Sequence, residues 1–330
     1  MVISRTPFRI SFLGGGTDLP DFYQGEEGAV VSTTIDKYIY VTVNKSFDET
    51  YRLSHSKTEI CRTPQDVQHK IFRSVLEKYD TDVRDRHSGC GLEITSIADI
   101  PAGTGLGSSS SFTVALLHAL HAQMGQYPMP EALAQEACAV EIEELGEPIG
   151  KQDQYAAAYG GLQYIRFLPS GQVSVEPIHC SQNSKQALQA SILLFYTGMT
   201  RSASDVFSEW KRNTERNREN LREMRSLAQR MKLALEGGES VKRVGELLHE
   251  GWTLKKTLAA GISGSRIDEW YDRAREAGAY GGKIVGAGGG GFLMVVCDPN
   301  KQDVVRRELQ ELRSISVGLE SFGSRIIFVG

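Results

Sequence analysis

Residues 101–111 read Pro-Ala-Gly-Thr-Gly-Leu-Gly-Ser-Ser-Ser-Ser, and this stretch constrains the fold more than any other. Gly103, Gly105 and Gly107 remove side chains, so backbone N–H groups can approach a bound anion. Ser108 to Ser111 then start a helix that runs on through Phe112 to Gln123. The free N–H groups and positive dipole end of such a helix suit a phosphate, and serine hydroxyls add donors or a Mg²⁺ ligand. The competing reading is a flexible loop with serine caps. A P-loop is excluded, because no lysine follows the glycines. A dinucleotide fingerprint is excluded too: the glycine spacing is wrong and residues 123–128 hold no acid.

The chain has 330 residues, which at about 150 per domain predicts two domains. Lys plus Arg number 37 and Asp plus Glu 41, a net charge of −4. That balance argues against nucleic acid as a partner. Hydrophobic residues make up 40% and charged residues 24%, the proportions of a soluble globular protein. No run is long and apolar enough for a signal peptide or a membrane span, so no membrane partner is expected. Cys61, Cys90, Cys138, Cys180 and Cys297 are scattered and form no paired motif. They predict reduced thiols and a cytoplasmic location.

Around the loop, strands are predicted at 9–13, 29–31, 38–43, 91–97, 161–167, 190–196 and 324–329. Helices are predicted at 66–78, 130–145, 152–159, 203–235, 240–258, 266–277 and 302–312. The turn Pro169-Ser170-Gly171 divides the chain into 1–170 and 171–330. The mixed charges of 203–235 read as a solvated helix face.

Four further places carry possible chemistry. Lys283 to Phe292 contains five glycines but leads into a strand, which fails the dinucleotide context. It is either a glycine hairpin or backbone packed closely against something. Arg9 sits in a strand, and Asp18 follows the turn Gly14-Gly15-Gly16-Thr17. By themselves they read as an exposed strand arginine and an aspartate bracing its own turn. Beside a substrate they would suit a transferring phosphoryl group and a sugar hydroxyl. Glu141 shares a predicted helix with Glu143 and Glu144, a solvated acidic face on its own. Asp153 reads as a helix cap or, buried near phosphate, as a group that orients and deprotonates a hydroxyl. His118 and His121 have no third ligand nearby and read as packing.

Three segments, in order, resemble the motifs of the GHMP kinases. Residues 5–20, RTPFRISFLGGGTDLP, resemble the first motif. PAGTGLGSSSSF resembles the phosphate loop P-x-x-x-G-L-G-S-S, and KIVGAGGGGF the third motif, K-x-x-G-A-G-x-G-G. The resemblance implies an α+β, two-domain fold: an N-terminal ribosomal-protein-like α/β domain, a C-terminal ferredoxin-like domain, and the active site in the cleft between them. It implies ATP on Pro101, Gly103, Gly105, Leu106, Gly107, Ser108, Ser109 and Ser110. Mg²⁺ would be held by Glu141 and Ser109, and catalysis carried by Asp153 and Arg9. Asp153 lies in Gly150-Lys-Gln-Asp-Gln, similar to a galactokinase-type G-x-x-D-Q, with Glu141 twelve residues upstream. The acceptor would meet Gly15, Gly16, Thr17, Asp18, Gly288 and Gly289. Gly15-Gly16 replaces the Glu-His of galactokinases, which argues against galactose.

Within the family, FLGGGTDLP and YTGMTRSAS resemble the bacterial heptose-phosphate kinases. This implies transfer to the anomeric C1 hydroxyl of D-glycero-D-manno-heptose 7-phosphate, with a phosphorylated sugar and ATP as ligands. Arg201 is then the expected phosphate clamp, or else a surface arginine at a helix start, and Lys283 adds electrostatic support. A fucokinase-like enzyme on another sugar and a non-catalytic sugar- and ATP-binding regulator are the alternatives. A homodimer is compatible with all three.

Overall fold

The structure, a computed structural model, describes residues 1–199 and 214–330. Strands are numbered in chain order: β1 Val2–Leu13, β2 Gly28–Lys45, β3 Tyr51–Ser54, β4 Thr58–Cys61, β5 Leu92–Ala98, β6 Leu162–Phe167 and β7 Val173–Pro177. They continue with β8 Ile192–Tyr196, β9 Ala279–Ile284, β10 Phe292–Cys297, β11 Arg313–Ile315, β12 Leu319–Glu320 and β13 Arg325–Val329.

The larger sheet is built on β2. One edge of β2 pairs antiparallel with β1, and the other is shared by β6, β12 and β5 in turn. β1 also pairs with β13, β5 with β3 in parallel, and β3 with β4. The smaller sheet runs β11-β8-β10-β9, and every pairing in it is antiparallel. Counted along the chain its order is fourth, first, third, second, with helices inside the first and last connections. That is the split β-α-β arrangement of a ferredoxin-like layer, as expected.

The smaller sheet joins two cores because strand side chains alternate between faces. Leu194, Met294 and Val296 point into the core of the larger sheet. Leu193, Phe195, Leu293 and Val295 point into a second core with Trp252, Trp270 and Tyr271. The chain crosses between sheets more than once. β7 lies beyond residue 170 yet pairs with β6, and β12 and β13 return to the larger sheet from the C-terminal end.

Two expected helices and one expected strand differ in detail. The helix expected at 66–78 is Lys70–Arg86, preceded by a short turn at Pro64–Asp66 that seats the buried Val67. The one expected at 130–145 is regular only over Pro130–Cys138 and widens into a π turn over Ala139–Glu144. The strand expected to start at 190 starts at Ile192, after the helix Gln182–Ser191 capped by Ser181. Of the predicted helix 203–235, the described part is Thr214–Glu236.

Candidate active site

One cleft collects the end of β1, the turn 14–18, the loop 103–110, the start of the helix Gln152–Tyr159, and the glycine run 286–290. Arg9 is turned into it at an irregularity in the β1–β2 register between Pro7 and Arg9, a device that re-aims a strand side chain. It is not the exposed strand arginine that its position allowed, being 5% exposed. Its Nε donates to Asp153 Oδ1 at 2.7 Å and its Nη2 to Oδ2 at 2.6 Å. Nη1 donates to the Gly105 carbonyl at 2.6 Å. The fork therefore fixes Asp153 and the phosphate-type loop together. Asp153 is not a cap: it lies inside the first turn of its helix and spends its carboxylate on Arg9.

The helix Ser108–Gln123 begins at Gly107, whose φ of 76° is left-handed, and no side chain caps it. This removes the serine-cap reading and leaves the first-turn N–H groups facing the cleft. A Cβ on Gly107 would stand 3.2 Å from Arg9 Cγ and 3.3 Å from Asp153 Oδ2, so glycine is what lets loop and ion pair meet. Ser108, Ser109 and Ser110 line the cleft. Leu106 is buried in the core and contributes only its carbonyl, which accepts from Arg9 N–H at 3.1 Å. Pro101 stays exposed at the loop's entrance.

The second glycine run resolves as backbone packed against the first. A Cβ on Gly105 would lie 2.4 Å from the Val285 carbonyl oxygen, and one on Gly286 2.5 Å from Gly105 Cα. Gly291 meets the Thr104 carbonyl in the same way, at 2.2 Å. Gly288 lines the cleft, whereas Gly289 donates its N–H to Ile262 O at 2.8 Å and does not.

Glu141 is 1% exposed, while Glu143 and Glu144 beside it are exposed. The π turn rotates it inward, as such turns often do at functional sites. Ser109 Oγ donates to Oε1 at 2.7 Å and Gln154 Nε2 to Oε2 at 2.7 Å. Burial pushes its carboxyl upward, against the pull of hydrogen bonds from Ser109, Ser110 and Gln154. Among the described residues no cation pairs with it. A buried carboxylate with a serine hydroxyl at the edge of a phosphate-type loop is a fitting oxygen donor set for Mg²⁺.

Asp18 is also buried; burial raises its carboxyl above the usual range. It accepts from Gly16 N–H at 2.9 Å and from Gln152 N–H at 3.3 Å, so it braces its own turn and ties it to the Asp153 helix. Gly15 and Gly16 line the cleft, whereas Thr17 bonds Gly14 and Ala29 and serves the turn. Lys283 donates to Ser11 O and Phe12 O, both at 3.0 Å, and so locks the smaller sheet to β1. Arg201 lies outside the described residues. His118 bonds Ser324 and His121 bonds Glu136, and no metal cluster of His, Cys, Asp or Glu occurs among the described residues.

Sequence reasoning missed Lys255, Gln152 and Ser11, which also line the cleft. Lys255 is half of a Lys-Lys pair at a helix end, a pattern that reads as surface, but it continues the apolar spacing of Val244, Leu248, Gly251 and Trp252, and that signal could have placed it on the buried face. Gln152 adjoins Asp153 in the quoted motif; its Nε2 is buried without a partner among the described residues, and its Oε1 accepts from Ser11 Oγ at 3.2 Å.

Comparison with known proteins agrees with this geometry. The GHMP kinases N terminal domain matches residues 69–161, and the GHMP kinases C terminal domain matches 224–314. The chain is 31% identical to a D-glycero-alpha-D-manno-heptose 7-phosphate kinase of Campylobacter jejuni, covering 91% of this chain and 90% of that one. It is 28% identical to an L-fucokinase/L-fucose-1-P guanylyltransferase of Bacteroides fragilis, over 94% of this chain but 36% of that longer protein. A crystal structure of a D-glycero-D-manno-heptose 1-phosphate kinase from Bacteroides thetaiotaomicron superposes with a TM-score of 0.81 at 25% identity, over all of both chains. With the cleft, the two sheets and both family domains in agreement, the chain belongs to the GHMP kinases, phosphotransferases that use ATP and an alcohol acceptor.

Proposed function

We propose that this enzyme transfers the γ-phosphoryl group of ATP to the anomeric C1 hydroxyl of D-glycero-D-manno-heptose 7-phosphate, giving the 1,7-bisphosphate. The observation that carries the reaction class is the two-point Arg9–Asp153 pair held against the phosphate-type loop. The heptose phosphate rests on the Campylobacter relative, which spans nearly the whole chain.

In this reading the ATP phosphates lie on residues 103–110 and the N-terminus of the helix Ser108–Gln123. Glu141 and Ser109 would hold Mg²⁺, which supplies charge neutralisation on the phosphates. Asp153 accepts a hydrogen bond from the sugar C1 hydroxyl and takes its proton as the O–P bond forms. Each carboxylate oxygen keeps a lone pair beyond the one given to Arg9. Arg9 holds the carboxylate in place through its two hydrogen bonds. An anomeric hydroxyl is more acidic than an ordinary alcohol, so a weak base suffices. Positioning and electrostatics then carry most of the acceleration. Asp18 and the Gly15-Gly16 backbone, which line the cleft, would meet the sugar. Arg201 remains our proposed clamp for the acceptor phosphate, and a cytoplasmic location follows from the substrates.

The similarity at 28% to part of an L-fucokinase/L-fucose-1-P guanylyltransferase favours a second reading, a free sugar as acceptor. ADP release with Mg·ATP and a panel of heptose 7-phosphate, fucose, galactose and mevalonate separates the two, with the product's phosphorylated carbon assigned by ³¹P NMR. Turnover confined to the heptose phosphate, with the new ester at C1, is expected. Turnover on fucose alone would replace the substrate assignment and leave the catalytic one.

A further inference from the structure

Lys255 lies in the last turn of the helix Val241–Lys256 and lines the cleft. It is 3% exposed. Among the described residues its Nζ donates to one acceptor, the Gly286 carbonyl, at 2.5 Å. An ammonium has three protons to donate, and among the described residues no carboxylate pairs with it. Its neighbour Lys256 is an ordinary contrast: partly exposed and paired with Asp268 at 3.0 Å. Among the described residues, the other two cations lining the cleft are already committed. Arg9 is neutralised by Asp153, and Lys283 is divided between two β1 carbonyls.

The anchoring carbonyl is informative. Gly286 is the residue packed on Gly105, and Gly105 O is the acceptor of Arg9 Nη1. Lys255 and Arg9 thus hold neighbouring carbonyls of the two glycine loops that form the cleft wall. A buried ammonium with spare donors and no counter-ion is unfavourable unless an anion arrives.

We propose that Lys255 binds a phosphate oxyanion of the bound substrates, as a second cation beside Arg9. The two sources of such an oxyanion are the γ-phosphoryl group of ATP and the phosphate of a phosphorylated acceptor. This rests on the kinase reading above. Burial and the nearby Arg9 bring Lys255 down to about 7, which agrees with a charge that is incomplete until a phosphate enters.

The test compares wild type with Lys255→Met, Lys255→Arg and the control Lys256→Met. Steady-state kinetics are measured with phosphorylated and free sugars. Calorimetry measures binding of ADP, of a non-hydrolysable ATP analogue and of inorganic phosphate. Thermal melting is followed without ligand. Lys255→Met should melt no lower than wild type, because it removes an unpaired buried charge, yet lose at least about tenfold in kcat/KM. Lys255→Arg should recover part of that loss, and Lys256→Met should match wild type. A loss of affinity for the ATP analogue but not ADP assigns the γ-phosphoryl group. A raised KM confined to the phosphorylated acceptor assigns the acceptor phosphate. Unchanged kinetics and affinities, or a lower melting temperature with no rescue by arginine, would overturn the proposal and leave Lys255 as a brace for Gly286. If wild type turned over no acceptor, the kinase substrate reading would fail, while unchanged or weakened binding of the ATP analogue and phosphate would still decide Lys255.

Discussion

Glu141 shows how little of a side chain's role is visible from its neighbours in sequence. It stands among three glutamates within four positions, yet it alone is buried, because a π turn displaces the helix register there. No periodicity rule anticipates that turn. Lys255 differs: it continues the helical spacing of Leu248 and Trp252 on the buried face, whereas its neighbour Lys256 is partly exposed. Arg9 and Asp153 were found through motif resemblance, since each has a bland local reading as strand and cap residue. Glu141→Gln should retain the fold and melt at the same or a higher temperature without ligand, since an unpaired buried carboxylate has been neutralised. Its turnover should fall at least about tenfold at low Mg²⁺ and recover in part as Mg²⁺ is raised. A Mg²⁺ dependence identical to wild type would remove Glu141 from the metal site.

The glycine loops were legible as loops, but their partner was not. Glycine count indicated close packing, while only the fold shows that 285–291 lies on 104–105. Gly105 combines a φ of 81° with a backbone oxygen 2.4 Å from the place of a Cβ. Gly105→Ala should therefore cost about 2 kcal/mol or more in stability, read from urea unfolding, and weaken ATP binding as well. A destabilisation under about 0.5 kcal/mol would mean the loops separate easily.

The helix Pro130–Cys138 supplies a second prediction, at Glu136. Burial alone would raise its carboxyl, but hydrogen bonds from His121, Lys78 and Tyr79 outweigh this and hold it at about 2. Burial would likewise lower His121, and its bonds to Glu136 and Gln126 instead raise it above 6.5. The Glu136 contribution is complete above its ordinary value of 4.5 and fades as pH falls toward about 2. The His121 contribution is complete below 6.5 and is lost as pH rises through the raised value. Glu136→Gln should thus destabilise most between pH 4.5 and 6.5, by about 1–3 kcal/mol, as urea unfolding across pH would show. A pH-independent difference would contradict this.

The two sheets and their order were only partly written in the chain. The strong apolar runs of β1, β2 and β10 announced themselves, whereas the hairpin β3–β4 and the edge strand β7 did not. These are short and half polar, and pairing rather than local preference makes them strands. Nor could local sequence show that β12 and β13 return to the first sheet, since that is a contact across the length of the chain. Because the cleft is walled by both sheets' elements, a nucleotide bridging them should stabilise the protein as a unit. A Mg·ATP analogue at a hundred times its Kd should add about 2.7 kcal/mol and raise the melting temperature by a few degrees. No shift would mean the cleft does not take nucleotide.

The central claim is that Asp153, held by Arg9, receives the acceptor's proton. Its most direct test is the turnover of Asp153→Asn beside wild type on the accepted sugar, with ATP-analogue binding measured on the same preparations. The account predicts a loss in kcat of about 10²-fold or more with ATP-analogue affinity nearly unchanged. Near-normal turnover by the folded variant would contradict it and remove Asp153 from the base role.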